Sequence, residues 1–216
     1  LSGRSNSVGG NPNPPANPPT DPPGNPQPSP PAKPGPKPPT KPPLAGPTFP
    51  KGLSPVARLS FDEGTGKLAV DTSDKGRNNS GRLIGNAKWG KGRLNGAVRF
   101  AGKQDAVTLG KSRDIDLGTH NQRTVSMWFK ADKASGQKAQ VIEEEGGRDG
   151  GLNIYLKDDL LHVGGWGGKW KGDWIESNKV KSGQWHHVAL VLEGTGRLQD
   201  DAMTAYLDGN KIDSGL

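Results

Sequence analysis

Proline is confined to one end of this chain. All 20 prolines lie between Pro12 and Pro55, whereas the 161 residues from Val56 to Leu216 contain none and hold all 6 tryptophans. Because proline fixes φ and has no backbone N–H to donate, so dense a proline segment can neither continue a helix nor pair within a sheet. The sequence therefore predicts a disordered or polyproline II linker over residues 1–55 and one globular domain over residues 56–216.

The linker is expected to act as a stiff spacer that tethers the domain to an anchor or to an enzyme domain upstream. Residues 33–39 and 36–41 also fit the pattern of SH3-type ligands, although such matches arise from composition alone where proline is so frequent. No signal-type apolar run and no stretch of 18 apolar residues occurs. Membrane anchoring is therefore expected only through a missing upstream segment.

Charge and cysteine content exclude several function classes. Of the net charge of +7, the linker carries +4, which leaves +3 on the domain, where basic and acidic residues alternate as in Lys130-Ala131-Asp132-Lys133. Nucleic-acid binding through phosphates favours a clustered basic face, so no nucleic-acid partner is expected. The chain has no cysteine, which excludes disulfide scaffolds, thiolate metal sites and thiol catalysis.

Beyond Val56 the hydrophobic periodicity is that of short β-strands. In residues 124–129, Val125, Met127 and Phe129 alternate with polar or exposed positions, and no segment carries a sustained helical stripe. The Asp208-Gly209 pair predicts a hairpin, and residues 157–159 predict a second reversal. Further strands are predicted at 56–61, 97–100, 106–109, 152–156 and 185–192. Many short strands separated by turns are typical of an all-β sandwich or jelly roll.

Five motifs, in order, resemble the laminin G-like, concanavalin A-like jelly-roll family. They are LSFDEGTG (59–66) with DTS (71–73), GAVRF (96–100), VSMWFK (125–130), GQWHHVA (183–189) and AYLDG (205–209). The resemblance implies an antiparallel jelly-roll β-sandwich that acts outside the cytoplasm, in an extracellular, periplasmic or cell-surface location. It also implies that a closing strand is missing after Leu216, so that the domain is truncated at its C-terminus and leaves a sheet edge unpaired.

The same fold class includes glycoside hydrolases, which need two carboxyl groups flanking the scissile bond. In the hydrolytic relatives these groups occupy alternate positions of one strand. Here the acidic run Glu143-Glu144-Glu145 is consecutive and continues into GGRDGG (146–151), which favours a solvated, charged strand end. We therefore expect the domain not to be an enzyme.

One loop of the sequence is rich in oxygen-bearing side chains that could bind a cation. Residues 71–81 offer Asp71, Ser73, Asp74, Asn78 and Asn79, and calcium prefers carboxylate, amide and carbonyl oxygens. The resemblance extends one structural calcium ion to Asp71, Asp74 and Asn79 as ligands. A polar turn held by Asx hydrogen bonds, with no ion, accounts for the same residues equally well.

The most distinctive candidate for ligand binding is a glycine-rich stretch with tryptophan at 166, 170 and 174. An exposed indole offers an apolar face and one N–H donor, and sugar rings stack on such faces. A regular strand would place Trp166, Trp170 and Trp174 on one face, with Asp173, Glu176 and Asn178 as polar contacts. The alternative is that these rings fill the core between the sheets while the glycines let the strands curve.

Two function classes remain. The first is a non-catalytic recognition module that binds carbohydrate or an extracellular protein and is carried on the proline-rich stalk. The second is a structural or adhesive spacer domain of a large surface protein, with no small ligand of its own. Whether the segment from Trp166 to Trp174 forms an exposed face separates the two.

Overall fold

We describe the protein from a computed structural model. The chain separates into two units, Leu1–Pro47 and Thr48–Leu216. The structure describes residues 54–74, 78–102, 104–117, 122–147, 150–167, 170–171, 175–193 and 202–215, all in the second unit. The predicted linker lies outside the described residues, so its conformation and the boundary at residue 55 stay predictions.

Within the described residues all regular elements are β-strands, and every ladder is antiparallel. This confirms the predicted all-β, antiparallel class. The strands are β1 (Leu68–Ala69), β2 (Gly81–Ile84), β3 (Lys88–Lys91), β4 (Gly96–Arg99), β5 (Ala106–Leu109), β6 (Gln122–Phe129), β7 (Gln140–Gly147), β8 (Gly150–Lys157), β9 (Leu160–Gly167), β10 (Trp170–Lys171), β11 (Ile175–Lys179), β12 (His186–Glu193), β13 (Met203–Leu207) and β14 (Asn210–Gly215).

Two sheets form the main sandwich. The five-stranded sheet runs β10-β9-β8-β7, with β11 also paired to β9, and the four-stranded sheet runs β14-β13-β12-β6. One hydrophobic cluster joins them, and it includes Ile154 and Val163 from the first sheet and Val188 and Leu190 from the second, all 0% exposed. Because successive side chains alternate across a strand, the same strands present a second set of residues away from this core.

The hairpins follow the local sequence. Asp208 (φ 51°) and Gly209 (φ 81°) connect β13 to β14, and Asp158 (φ 54°) and Asp159 (φ 68°) connect β8 to β9. Positive φ at both central residues is the type I′ geometry whose twist matches that of paired strands. Both reversals that the sequence predicted are confirmed.

The N-terminal part of the domain forms two smaller sheets, β1-β2-β5 and β3-β4, around a second cluster that contains Ala69, Leu83 and Ala87. The strand predicted at 56–61 is wrong. This segment forms one isolated bridge, from Leu59 to Asp71, and Phe61 adopts a φ of 59°. A left-handed Phe61 interrupts the extended backbone that a continuing ladder requires.

Candidate functional site

The surface of the five-stranded sheet that points away from the core is called here the outer face. Its register aligns Tyr155 with His162 and His162 with Glu176, so that these three side chains form one row across β8, β9 and β11. Four residues further along β9, Trp166 lies opposite Gly151. The distance along the strand between His162 and Trp166 is about 13 Å.

Trp166 lies flat against its neighbouring strand. A Cβ atom placed on Gly151 would come within 2.5 Å of the Cη2 and Cζ2 atoms of the indole and closer still to the backbone carbonyl oxygen of Glu145, so both the ring and the neighbouring strand require glycine at this position. The indole Nε1–H donates to the carbonyl oxygen of Gly147 at 2.8 Å, and the residue is partly buried. The N–H is therefore used within the protein, and the ring face is what Trp166 presents.

The three tryptophans do not lie along a single strand. Trp166 belongs to β9, whereas Trp170 begins β10, where its backbone pairs with Gly167 while Lys171 pairs with Trp166. The chain therefore reverses between Trp166 and Trp170, and the premise of one regular strand is wrong. Trp174 and Asp173 lie outside the described residues.

His162 links the row on the outer face. Its side chain is 9% exposed, its ring stacks on that of Tyr155 with centroids 4.7 Å apart and planes 5° apart, and its Nδ1 lies 3.3 Å from Glu176 Oε1. Its Nε2 is buried and has no hydrogen-bond partner. Burial and, after it, the negative charge of Glu176 raise the pKa of the Tyr155 hydroxyl.

Glu176 and Asn178 are exposed and border a depression of about 340 Å³ between β11 and the β13–β14 hairpin. We call this depression the edge cleft; its polar lining is Glu176, Asn178, Asp208, Asn210 and Lys211. The carboxylate of Asp208 is already engaged, since Oδ2 lies 2.8 Å from His186 Nδ1 and Oδ1 accepts the backbone N–H of His187 at 2.8 Å. These hydrogen bonds outweigh the effect of burial and lower the pKa of Asp208.

The acidic run is not the solvated strand end that the sequence suggested. It lies within β7, where Glu143 pairs with the buried Ile154 and Glu145 pairs with Leu152, so both carboxylates face the core side of the sheet. Arg123 of β6 donates to Glu145 Oε1 and to the carbonyl oxygen of Ile115. Glycine does not end the strand here because Gly146 and Gly147 continue the ladder with β8.

Within this acidic cluster, the negative charge of Glu143 is the least stabilised by neighbouring groups. Its Oε2 is buried and has no hydrogen-bond partner. Burial, followed by the nearby charge of Glu145, raises the pKa of Glu143 to about 8, although Arg123 opposes the shift. The two carboxylates occupy alternate positions of one strand, as glycoside hydrolysis requires, but they face the interior between two packed sheets rather than a surface that a glycan can reach.

The proposed calcium ligands are held by the protein itself. The Asp71 carboxylate accepts backbone N–H groups from Arg58, Ser73 and Asn79, each at 2.9 Å. These bonds lower the pKa of Asp71 even though burial alone would raise it. The Asn79 side-chain amide donates to the carbonyl oxygen of Val56 at 2.7 Å.

Three N–H donors take up most of the acceptor capacity of the Asp71 carboxylate, which favours the alternative of a polar turn held by hydrogen bonds. Asp74 lies in the same loop, and among the residues the structure describes no group of three or more acidic or histidine side chains is arranged to hold a metal. Calcium at Asp71, Asp74 and Asn79 stays a prediction.

Sequence reasoning missed Tyr155, His162 and Arg123. In Leu161-His162-Val163 the two apolar side chains share one face of the strand and His162 points to the other. This alternation could have indicated that His162 lies on the outer face. Its meeting with Glu176, 14 positions later, depends on the register of β9 with β11.

In the described part of the chain we find no helical segment with the length and apolarity needed to cross a bilayer.

A family model described as the concanavalin A-like lectin/glucanases superfamily matches residues 101–215, slightly more than half of the chain. The match covers every strand of the two main sheets. Comparison with curated proteins and with solved structures returns no match.

Proposed function

Because the chain belongs to the concanavalin A-like lectin/glucanase superfamily, we propose that it is a non-catalytic recognition module whose outer face binds carbohydrate. Domains of this kind are in general lectin-like or adhesive binding modules and typically occur in extracellular proteins. The fold alone does not define a ligand, since one fold hosts many functions. The residues on the outer face support the more specific proposal.

The observation that carries the proposal is the setting of Trp166. The ring lies against Gly151, where the Glu145 backbone also excludes a Cβ atom, and its indole N–H donates to the carbonyl oxygen of Gly147. A ring held in this way loses little conformational entropy when a ligand stacks on it. Apolar C–H faces of sugars are suited to such a platform because the indole offers a large flat surface.

Polar groups accompany the platform on the same sheet. Glu176 and Asn178 are exposed on β11, and Glu176 shares the outer face with Trp166 through the register of β9. Sites for small polar ligands combine apolar area with a few oriented polar groups, which set specificity. Trp166 supplies the apolar area, and Glu176 and Asn178, in the region of His162 about 13 Å further along the sheet, supply polar contacts to another part of an extended glycan. Trp170, Trp174 and Asp173 stay candidates from the sequence.

The acidic cluster favours binding over hydrolysis. Glu143 and Glu145 face the core, and Arg123 engages Glu145. We further propose that the module acts outside the cytoplasm and that the proline-rich segment tethers it to an upstream anchor or enzyme domain. A protein ligand, or an adhesive spacer role with no small ligand, is the outcome that a failed test would favour.

A glycan array probed with the full chain tests the proposal. We expect saturable binding to at least one glycan class and its loss in Trp166→Ala. The matched control is Trp128→Ala, since Trp128 is 44% exposed and lies on the outward side of the four-stranded sheet, where it packs against His187 and Arg93. Running both with calcium and with chelator reports whether the ion contributes. Equal loss in both variants, or no binding by folded wild-type protein, would contradict carbohydrate recognition on the outer face.

A further inference from the structure

We propose that Glu176 is the hydrogen-bond acceptor of a saccharide subsite in the edge cleft, and that His162 is the positioning residue that orients its carboxylate. The inference rests on the proposed function and extends it, because it assigns the polar contacts to a second location about 13 Å from Trp166 along the sheet. The ligand class is a neutral saccharide recognised through its hydroxyl groups.

The burial of the His162 ring costs stability because one of its nitrogen atoms is left without a hydrogen-bond partner. Its side chain is 9% exposed, and its Nε2 is buried without a hydrogen-bond partner. A buried polar atom left unpaired destabilises a fold, and an apolar ring at this position would avoid that cost while stacking on Tyr155 equally well. What an imidazole adds at this position is a polar Nδ1 atom, and Glu176 Oε1 lies 3.3 Å from it, within ion-pair distance.

The contact with Glu176 favours one tautomer of the His162 ring. In the neutral form the imidazole carries one N–H, and a carboxylate oxygen is only an acceptor, so the contact favours the tautomer with the proton on Nδ1 and the lone pair on Nε2. The parallel stack on Tyr155 prevents rotation of the ring. Glu176, whose side chain is 57% exposed, is thereby held at one oxygen by a rigid partner. An exposed glutamate without such a partner samples many rotamers, and ordering it on binding reduces affinity.

The edge cleft beside Glu176 matches a saccharide. Its volume of about 340 Å³ is at the lower end of the range of roughly 300–1,000 Å³ for small-molecule sites. Asn178 and Asn210 each offer donors and an acceptor, and Lys211 offers donors. A ligand hydroxyl group can therefore either accept a hydrogen bond from the cleft or donate one to it. Both oxygens of Asp208 already have partners in His186 and His187, whereas Glu176 has one oxygen near His162 and the more exposed side chain, which makes Glu176 the better placed carboxylate for ligand hydroxyls.

The tautomer of His162 tests the pair without any ligand. Nitrogen chemical shifts of the histidine rings in the full chain are expected to show the Nδ1–H form at His162, and to show it replaced or mixed in Glu176→Gln. The more common Nε2–H form at His162 in the wild-type protein would overturn the positioning role.

Binding is measured with the methyl glycosides of glucose, mannose, galactose and N-acetylglucosamine, and with their linear oligosaccharides. We expect Glu176→Gln to lose most of the affinity and His162→Phe, which keeps the stacked ring, to lose about tenfold, because the Glu176 carboxylate is then no longer restrained by an imidazole nitrogen and must be ordered on binding. His162→Phe is expected to add nothing further to Glu176→Gln, and His162→Gln, which keeps a donor, to recover part of the affinity. Glu193→Gln, at an exposed carboxylate on β12, is the control and is expected to bind as wild type does.

The outcomes separate the two proposals. If Trp166→Ala loses binding while Glu176→Gln binds as wild type does, recognition on the outer face stands and the subsite is overturned. If His162→Phe binds as wild type does while Glu176→Gln does not, Glu176 is a ligand contact and the positioning role is overturned. If the folded wild-type chain binds none of these saccharides, both the subsite and carbohydrate recognition are overturned.

Discussion

Glu143 makes the stability of this domain depend on pH in an unusual direction. Its carboxyl group lies on the core side of β7, its Oε2 has no partner, and burial together with the charge of Glu145 raises its pKa to about 8. In the unfolded chain a glutamate titrates near ~4.3. Between these two values the folded protein therefore holds one proton more than the unfolded protein.

The sign and size of the effect follow from linkage. When the native state binds the extra proton, the free energy of unfolding falls as pH rises, by about 1.4 kcal/mol per pH unit for one group. The stability is fully present below about pH 4 and is lost as pH rises through about 8, with a total on the order of 5 kcal/mol. Glutamine cannot ionise, so Glu143→Gln is expected to remove this dependence.

Urea unfolding followed by tryptophan fluorescence at several values between pH 5 and pH 9 measures the effect. We expect the two proteins to have similar stability at pH 5 and Glu143→Gln to be more stable by several kcal/mol at pH 9. Glu193→Gln, at an exposed position, is the control for the loss of one negative charge and is expected to follow the wild-type profile. Parallel profiles for wild type and Glu143→Gln would refute the reasoning, because they would show that Glu143 titrates alike in the folded and unfolded chain.

Four further predictions rest on contacts of named residues. Arg123→Met leaves Glu145 buried without its cation, and we expect denaturant unfolding to show a loss of about 3–5 kcal/mol; a loss below 1 kcal/mol would show that Glu145 is hydrated. Gly151→Ala places a methyl group against the Trp166 ring and the backbone carbonyl oxygen of Glu145, so we expect it to cost at least about 1–3 kcal/mol and to shift the tryptophan emission spectrum, whereas an unchanged spectrum would contradict the contact with the ring. Asp71→Ala removes the acceptor of three backbone N–H groups and is expected to cost about 2–3 kcal/mol in thermal or urea unfolding. Because those donors occupy the Asp71 carboxylate, the melting temperature of the wild-type chain is expected to be the same in calcium and in chelator; a rise of several degrees with calcium would show that the loop rearranges around an ion.

Local chemistry made most of the fold predictable. The reversals at Asp158-Asp159 and Asp208-Gly209 depend on residues that tolerate positive φ, and the alternation in β6 depends on a period of two, so both can be read from neighbouring residues. The strand expected at 56–61 does not form because a strand needs a partner segment, and the segment 56–61 makes a single isolated bridge, from Leu59 to Asp71.

The candidate site was less predictable for the same reason. Trp166, Glu176 and Asn178 were recognised by residue type, but a glycine-rich sequence fits many conformations, so the pairing that places Trp166 and Trp170 on different strands could not be read from it. The acidic run was misjudged because its glycine-rich continuation is typical of loops, and only the ladder with β8 shows that Glu143 and Glu145 face the core.

The sequence by itself determined that residues 56–216 favour an all-β antiparallel domain of a known family, because turn chemistry, alternation and motif order are properties of nearby residues. Tertiary structure decided which polar side chains meet. Pairing of β9 with β11 brings His162 to Glu176, and packing of β6 against β7 brings Arg123 to Glu145. A shift of one residue in register moves a side chain to the opposite face of its sheet, so contacts between distant strands are defined only once the whole sandwich is assembled.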